Sequence, residues 1–181
     1  MYKRQVWDKG KAAVIWQDAT VTADDGKDLW STRSSIFVRG EGGFGGDRGT
    51  SEPVELPDRE PDADVTYPIT PQQALIYRLC GDRNPLHSDP EFAKAAGFPA
   101  PILHGLCSYG IVLRELTEAL LDGDARRVGG FAVKFAGVVY PGETLRVRGW
   151  RDGDRIVAAA TVADGERVDA PVLGDVVLTT V

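Results

Sequence analysis

The chain has 181 residues, 43% of them hydrophobic, and a formal net charge of −6, enough apolar material for one full domain and part of another. Lys and Arg never run beyond two in succession, so no electrostatic footprint for nucleic acid or an anionic membrane is expected. Cys80 and Cys107 lack redox or metal-site spacing, and there is neither a membrane-length apolar run nor a signal-peptide core, which makes the reducing cytoplasm the expected setting.

The first five residues, Met1 to Gln5, read as the translated end of a sequencing-library transposon adapter, so a non-native leader is expected over 1–5 with the natural protein starting further upstream. Residues 12–21 and 29–38 are rich in β-formers and flank Asp25-Gly26, which predicts a hairpin. A lone hairpin is not stable. These strands therefore read as the end of a truncated unit over 6–49, closing in the glycine-rich stretch Gly40 to Gly49, and the Pro/acid segment 50–64 reads as a linker. Thr70-Pro71-Gln72-Gln73 combines an N-cap, a proline at the first position and a glutamine at the third, predicting a helix from Pro71 to about Leu79. Cys80 to Ser88 reads as loop, and Asp89-Pro90 opens a short helix that Gly97 ends. Gly105 to about Leu121 gives the longest helix, apolar over much of its girth and therefore buried. Strands are expected over 127–139, 144–151, 154–163 and 172–180. One buried helix followed by antiparallel strands argues for an α+β domain over 65–181 in which a sheet wraps the helix, the hot-dog fold.

The two histidines, His87 and His104, both lie in the polar segment between Tyr77 and Gly110. Asp82, Asn84 and His87 place an acid, an amide and an imidazole within six residues, stiffened by Pro85, and such a set can converge on one water. Adding water across an α,β-unsaturated thioester needs a held water, a proton for Cα and a donor for the enolate oxygen. Asp82 and His87 can meet the first two needs, with either as base, and Asn84 is a plausible further ligand of the water. Gly105 can meet the last through a backbone N–H at the start of the long helix.

Asp82-Arg83-Asn84-Pro85-Leu86-His87, with the downstream Gly97-Phe98, Pro101-Ile102-Leu103-His104-Gly105 and Cys107, resembles the hydratase 2 signature of MaoC-like enzymes. These include (R)-specific hydratases of peroxisomal multifunctional proteins and of polyhydroxyalkanoate supply. Phe135 and Pro141-Gly142-Glu143-Thr144-Leu145 also resemble the family, and Phe37 to Gly46 resembles the segment joining the repeats of its double hot-dog members. The resemblance implies syn hydration of trans-2-enoyl-CoA to the (3R)-hydroxyacyl-CoA, with Asp82 and His87 as the catalytic pair, Asn84 as a hydrogen-bonding partner and Gly105 as the oxyanion donor. It implies no cofactor beyond the CoA of the substrate and no metal, and association of two or more hot-dog units, as a homo-oligomer or hot-dog pair. The chain departs from two-repeat members in lacking most of the first repeat.

Competing readings accompany several residues. Asp82 and Asn84 are also ordinary turn formers. His104 is read as structural, donating to a backbone carbonyl, and Cys107 as core filling. Arg126, Arg127 and Lys134 could meet CoA phosphates or could be solvated edge charges. Gly40-Glu41-Gly42-Gly43-Phe44-Gly45 satisfies G-x-G-x-x-G, yet Pro53 and Pro57 stand where a phosphate-binding helix would run, so a nicotinamide cofactor is rejected. A hot-dog thioesterase and a non-catalytic acyl-CoA-binding module are the alternative functions.

Overall fold

The computed structural model describes residues 3–50 and 53–181, which fall into two units, Met1–Glu52 and Pro53–Val181. Residues 1 and 2 of the expected leader and 51 and 52 of the expected linker lie outside the described residues.

The first unit is an antiparallel sheet of β1 (Lys3–Asp8), β2 (Ala12–Thr22) and β3 (Asp28–Arg39), in that order. The β2–β3 hairpin closes where Asp25-Gly26 predicts, with Gly26 at φ 85°. The third strand, β1, was not foreseen: it pairs with β2 from Lys3 onward and so takes in residues 3–5 of the expected leader. The glycine-rich stretch folds around Asp8, which is only 5% exposed. Asp8 Oδ1 accepts the N–H groups of Gly10 and Gly43, both at 2.8 Å, and Oδ2 accepts that of Gly45 at 2.7 Å. These backbone donors, Gly43 first, hold the Asp8 carboxyl at a pKa of about 2. Glycine is needed at 49, where a Cβ would overlap the Trp7 ring. No helix follows this loop among the described residues, and the amides a phosphate would need are occupied by a carboxylate.

The second unit is a five-stranded antiparallel sheet in the order β4-β6-β7-β8-β5, formed by β4 (Ala63–Pro68), β5 (Val128–Phe135), β6 (Thr144–Asp152), β7 (Arg155–Val162) and β8 (Pro171–Thr180). Strand β4 falls partly in the expected linker. Its alternating burial, with Ala63, Val65 and Tyr67 on the more covered side, was hidden by the acid- and proline-rich residues before it. Asp64 on β4 meets the Arg146 guanidinium across the strand pair at 2.8 Å, which fixes the register. β5 stops at Phe135, short of the 139 expected, and 136–139 run on without pairing as strand.

Three helices accompany the sheet: α1 (Gln73–Tyr77), α2 (Pro90–Ala95) and α3 (Gly105–Leu120). α3 buries Cys107, Ile111, Val112, Leu116 and Leu120, spaced to face the sheet. Gly149 of β6 makes room for it, since a Cβ there would lie 2.8 Å from Leu116 Cδ2. The helix is buried as expected along this face, while Leu106, one of its apolar residues, is 60% exposed at the first turn. α1 is shorter than expected: the Thr70 carbonyl closes a turn on the Gln73 N–H at 3.0 Å, and helix begins only after it. The chain then tightens into a 3-10 turn over Arg78–Cys80 and leaves through Gly81 at φ 113°. α2 is built as read, with Asp89 Oδ1 accepting the Glu91 and Phe92 N–H groups and Gly97 at φ 89° beyond its end. The sheet, the central α3 and the covering helices make this unit an α+β hot-dog fold.

Candidate active site

The segment 81–89 turns sharply because its side chains bond to their own backbone. Asp82 Oδ1 accepts the Asn84 N–H at 3.2 Å, and Asn84 Oδ1 accepts the Leu86 N–H at 3.1 Å, capping a 3-10 turn over Pro85–His87. The turn-forming roles of Asp82 and Asn84 are therefore real. For Asn84, this cap occupies the amide oxygen, so its NH2 group is what is left to face a ligand.

His87 is 8% exposed, and its Nδ1 lies 2.9 Å from the Ile102 carbonyl. A carbonyl can only accept, so Nδ1 carries the proton and Nε2 presents a lone pair. His104, 1% exposed at the N-terminal end of α3, has Nε2 3.2 Å from the Asp82 carbonyl. By the same logic its proton is on Nε2. The two rings stack with centroids 3.7 Å apart and planes 26° from parallel, and Tyr77 covers the other ring contact of His104 at 4.7 Å. Burial, and secondarily the neighbouring His87, push the His104 pKa below its ordinary value. The reading of His104 as a donor to a backbone carbonyl describes its bond, but the carbonyl belongs to Asp82. That link joins residues 22 apart, and the sequence offered only one hint of it, a second histidine just ahead of a helix-opening glycine.

Gly105 is the first residue of α3. The His104 carbonyl takes the Cys107 and Ser108 N–H groups, while among the described residues nothing accepts from the Gly105 N–H. A Cβ on Gly105 would stand 2.9 Å from Phe135 Cε1, so a larger residue there requires that ring to shift. A cavity of about 190 Å³ opens here, bordered by Gly105, Ser108, Phe135, Val139 and Leu173. A second of about 290 Å³ reaches His87 between Ala74, Pro101 and Tyr140. Tyr140 of its lining is backed by Arg167, which binds both oxygens of Glu143 at 2.8 Å and lies 4.8 Å over the Tyr140 ring.

Asp82, His87 and His104 each offer one ligand atom within 4.8 Å of the others. Near-parallel stacked rings direct their in-plane lone pairs alongside one another, and one nitrogen of each ring is tied to a carbonyl. The arrangement suits hydrogen bonding to a water better than shared ligation of an ion. Arg126, Arg127 and Lys134 each pair with an aspartate other than Asp82. Arg126 pairs with Asp124 at 2.8 Å, Arg127 with Asp122 at 3.2 Å and Lys134 with Asp175 at 3.7 Å. The two arginines follow the far end of α3, about 24 Å along a helix of this length from Gly105.

A family profile described as MaoC like domain matches residues 53–170. The enoyl-CoA hydratase ChsH3 of Mycobacterium tuberculosis is 60% identical over 173 residues, covering 96% of this chain and 60% of that protein. The solved structure of a MaoC-like dehydratase from Phytophthora capsici superposes with a TM-score of 0.89 at 33% identity, over 99% of this chain and 62% of that one. Full-length peroxisomal multifunctional enzyme type 2 from Drosophila melanogaster gives a TM-score of 0.86 at 35% identity, over 98% of this chain and 32% of that one. The chain thus spans about three fifths of the length of the curated relative named first. With the family profile extending over more than half of its residues, the chain belongs to the MaoC-like domain family.

Proposed function

We propose that the protein is a hydro-lyase that adds water reversibly to trans-2-enoyl-CoA, forming the (3R)-3-hydroxyacyl-CoA. The observation that carries this is the closeness of Asp82 and His87, each offering a ligand atom within 4.8 Å of the other, in a unit whose α3 opens on a Gly105 N–H with no acceptor among the described residues. The name of the 60% identical relative, an enoyl-CoA hydratase, points the same way.

In this reading Asp82 and His87 hold one water. As its oxygen bonds to Cβ, one of the pair takes the proton that the water loses. That proton is passed on through the pair to Cα, so the site begins and ends in the same protonation state, and the charge that gathers on the thioester oxygen meets the Gly105 N–H and the positive end of α3. Both groups lie on one side of the bound alkene, so addition is syn. Asn84 supplies its NH2 to the water or the substrate. The chemistry asks for no metal or redox group from the protein. An apolar acyl chain suits the cavity beside Gly105. Exposed Leu75, Ile76 and Leu79, in and just after α1, support association of hot-dog units.

The test is loss of enoyl-thioester absorbance with short, medium and bulky trans-2-enoyl-CoA, followed by chiral analysis of the product. Turnover to the (3R)-alcohol is expected. Release of free CoA instead would replace the reading with thioester hydrolysis, and binding without turnover would replace it with an acyl-CoA-binding module.

A further inference from the structure

His104 is more than half of a histidine pair that the hydration reading uses only through His87. Its ring is almost fully buried, yet among the described residues it makes just one hydrogen bond, to the main-chain carbonyl of Asp82. Its other nitrogen, Nδ1, is buried with no partner among the described residues. An unpaired buried N–H would be costlier than an unpaired lone pair, and a charged ring at this depth costlier still. Arg78 nearby adds to the penalty on a positive charge. The ring is therefore held neutral with its single proton on Nε2, where Asp82 can use it.

We propose that His104 is a positioning residue of this site: through its Nε2–H to the Asp82 carbonyl and its stack on His87, it fixes the acid and the imidazole in one relative geometry. The proposal rests on the hydration reading given above for its consequence in catalysis, although the geometry itself does not. Asp82 sits on an exposed turn that its own side chain closes at only 3.2 Å. Without an anchor on the main chain, that turn would be free to swing its carboxylate away from His87. His87 is tied at Nδ1 to Ile102, which sets one axis of its ring, and the stacked face of His104 sets its plane. The two rings should consequently hold opposite tautomers, Nδ1–H in His87 and Nε2–H in His104.

Long-range ¹H–¹⁵N spectra of the full chain at neutral pH test this directly, because it contains only two histidines. One neutral ring of each tautomer is expected. Two rings of the same tautomer, or a protonated His104, would overturn the proposal. His104→Phe keeps a flat ring and removes the donor, whereas His104→Gln keeps an N–H donor and removes the ring. The Arg83 amide, which shares a peptide unit with the Asp82 carbonyl, should shift in the phenylalanine variant and return toward its original position in the glutamine one. A displaced active-site group commonly costs up to about 100-fold, so kcat in His104→Phe should drop about tenfold or more with KM within about twofold, and His104→Gln should recover part of it. Unchanged kcat in a folded His104→Phe also overturns the proposal. Opposite tautomers and a shifted Arg83 amide in a chain that hydrates no enoyl thioester would uphold the positioning and sink the hydration reading instead.

Discussion

Asp8, the last residue of β1 in the first unit, and Asp82, in a loop of the second, both meet glycine-bearing turns, and their oxygens have very different surroundings. Asp8 is buried, with three backbone N–H groups at 2.7 to 2.8 Å divided over both oxygens. Asp82 is exposed, with one N–H at 3.2 Å on one oxygen and two imidazoles within reach. A carboxylate saturated by donors is held ionised and fastens a loop, whereas one with unused acceptor positions beside a histidine can bind and polarise a water. The number of donors, more than the presence of glycine, separates the two roles.

The comparison breaks most sharply at the carboxylates themselves. Asp82→Asn keeps the oxygen that accepts the Asn84 N–H, so the fold should survive; turnover of enoyl-CoA should fall on the order of 10³-fold, within the range for loss of a general acid or base. Next in size, Gly105→Ala forces the Phe135 ring aside and shifts the oxyanion donor, and should lower kcat by about tenfold or more, read against an unchanged circular dichroism spectrum. Asp8→Asn sets an NH2 against a backbone N–H, and should lower the melting temperature by on the order of 5 °C while leaving kcat as it was. Acid titration sharpens the same contrast. Because the folded pKa of Asp8, about 2, lies below the roughly 3.9 of an unfolded aspartate, its stabilising effect is whole above about pH 4 and is lost as pH falls toward 2. Asp62, also lowered to about 2 chiefly by its hydrogen bond from Arg59, acts in the same window in the second unit, so Asp8→Asn should flatten only part of the acid unfolding seen by fluorescence. The smallest effect is expected at Arg126→Gln: already paired with Asp124, this side chain should change KM for enoyl-CoA by about twofold or less.

The parts legible in the sequence are those governed by local rules. α2 announces itself through Asp89, Pro90 and Gly97, and α3 through its apolar spacing after Gly105, each decided within a few residues. The Asp25-Gly26 hairpin is equally local. The parts that were not legible depend on partners far along the chain. β4 is a strand because β6 pairs with it some 80 residues later, and its own composition resembles the linker before it. The glycine-rich stretch owes its shape to Asp8, 35 residues upstream of Gly43. That Asp82 and His87 come near each other could be read from spacing, but the stacking of His104 on His87 and its bond to Asp82 required the fold.

The most direct test of the account is a paired measurement of kcat on a trans-2-enoyl-CoA and of melting temperature for Asp82→Asn and Asp8→Asn. The account predicts that Asp82→Asn loses turnover with its melting temperature unchanged, while Asp8→Asn melts earlier with kcat unchanged. Turnover that survives in Asp82→Asn, or disappears in a folded Asp8→Asn, would contradict it.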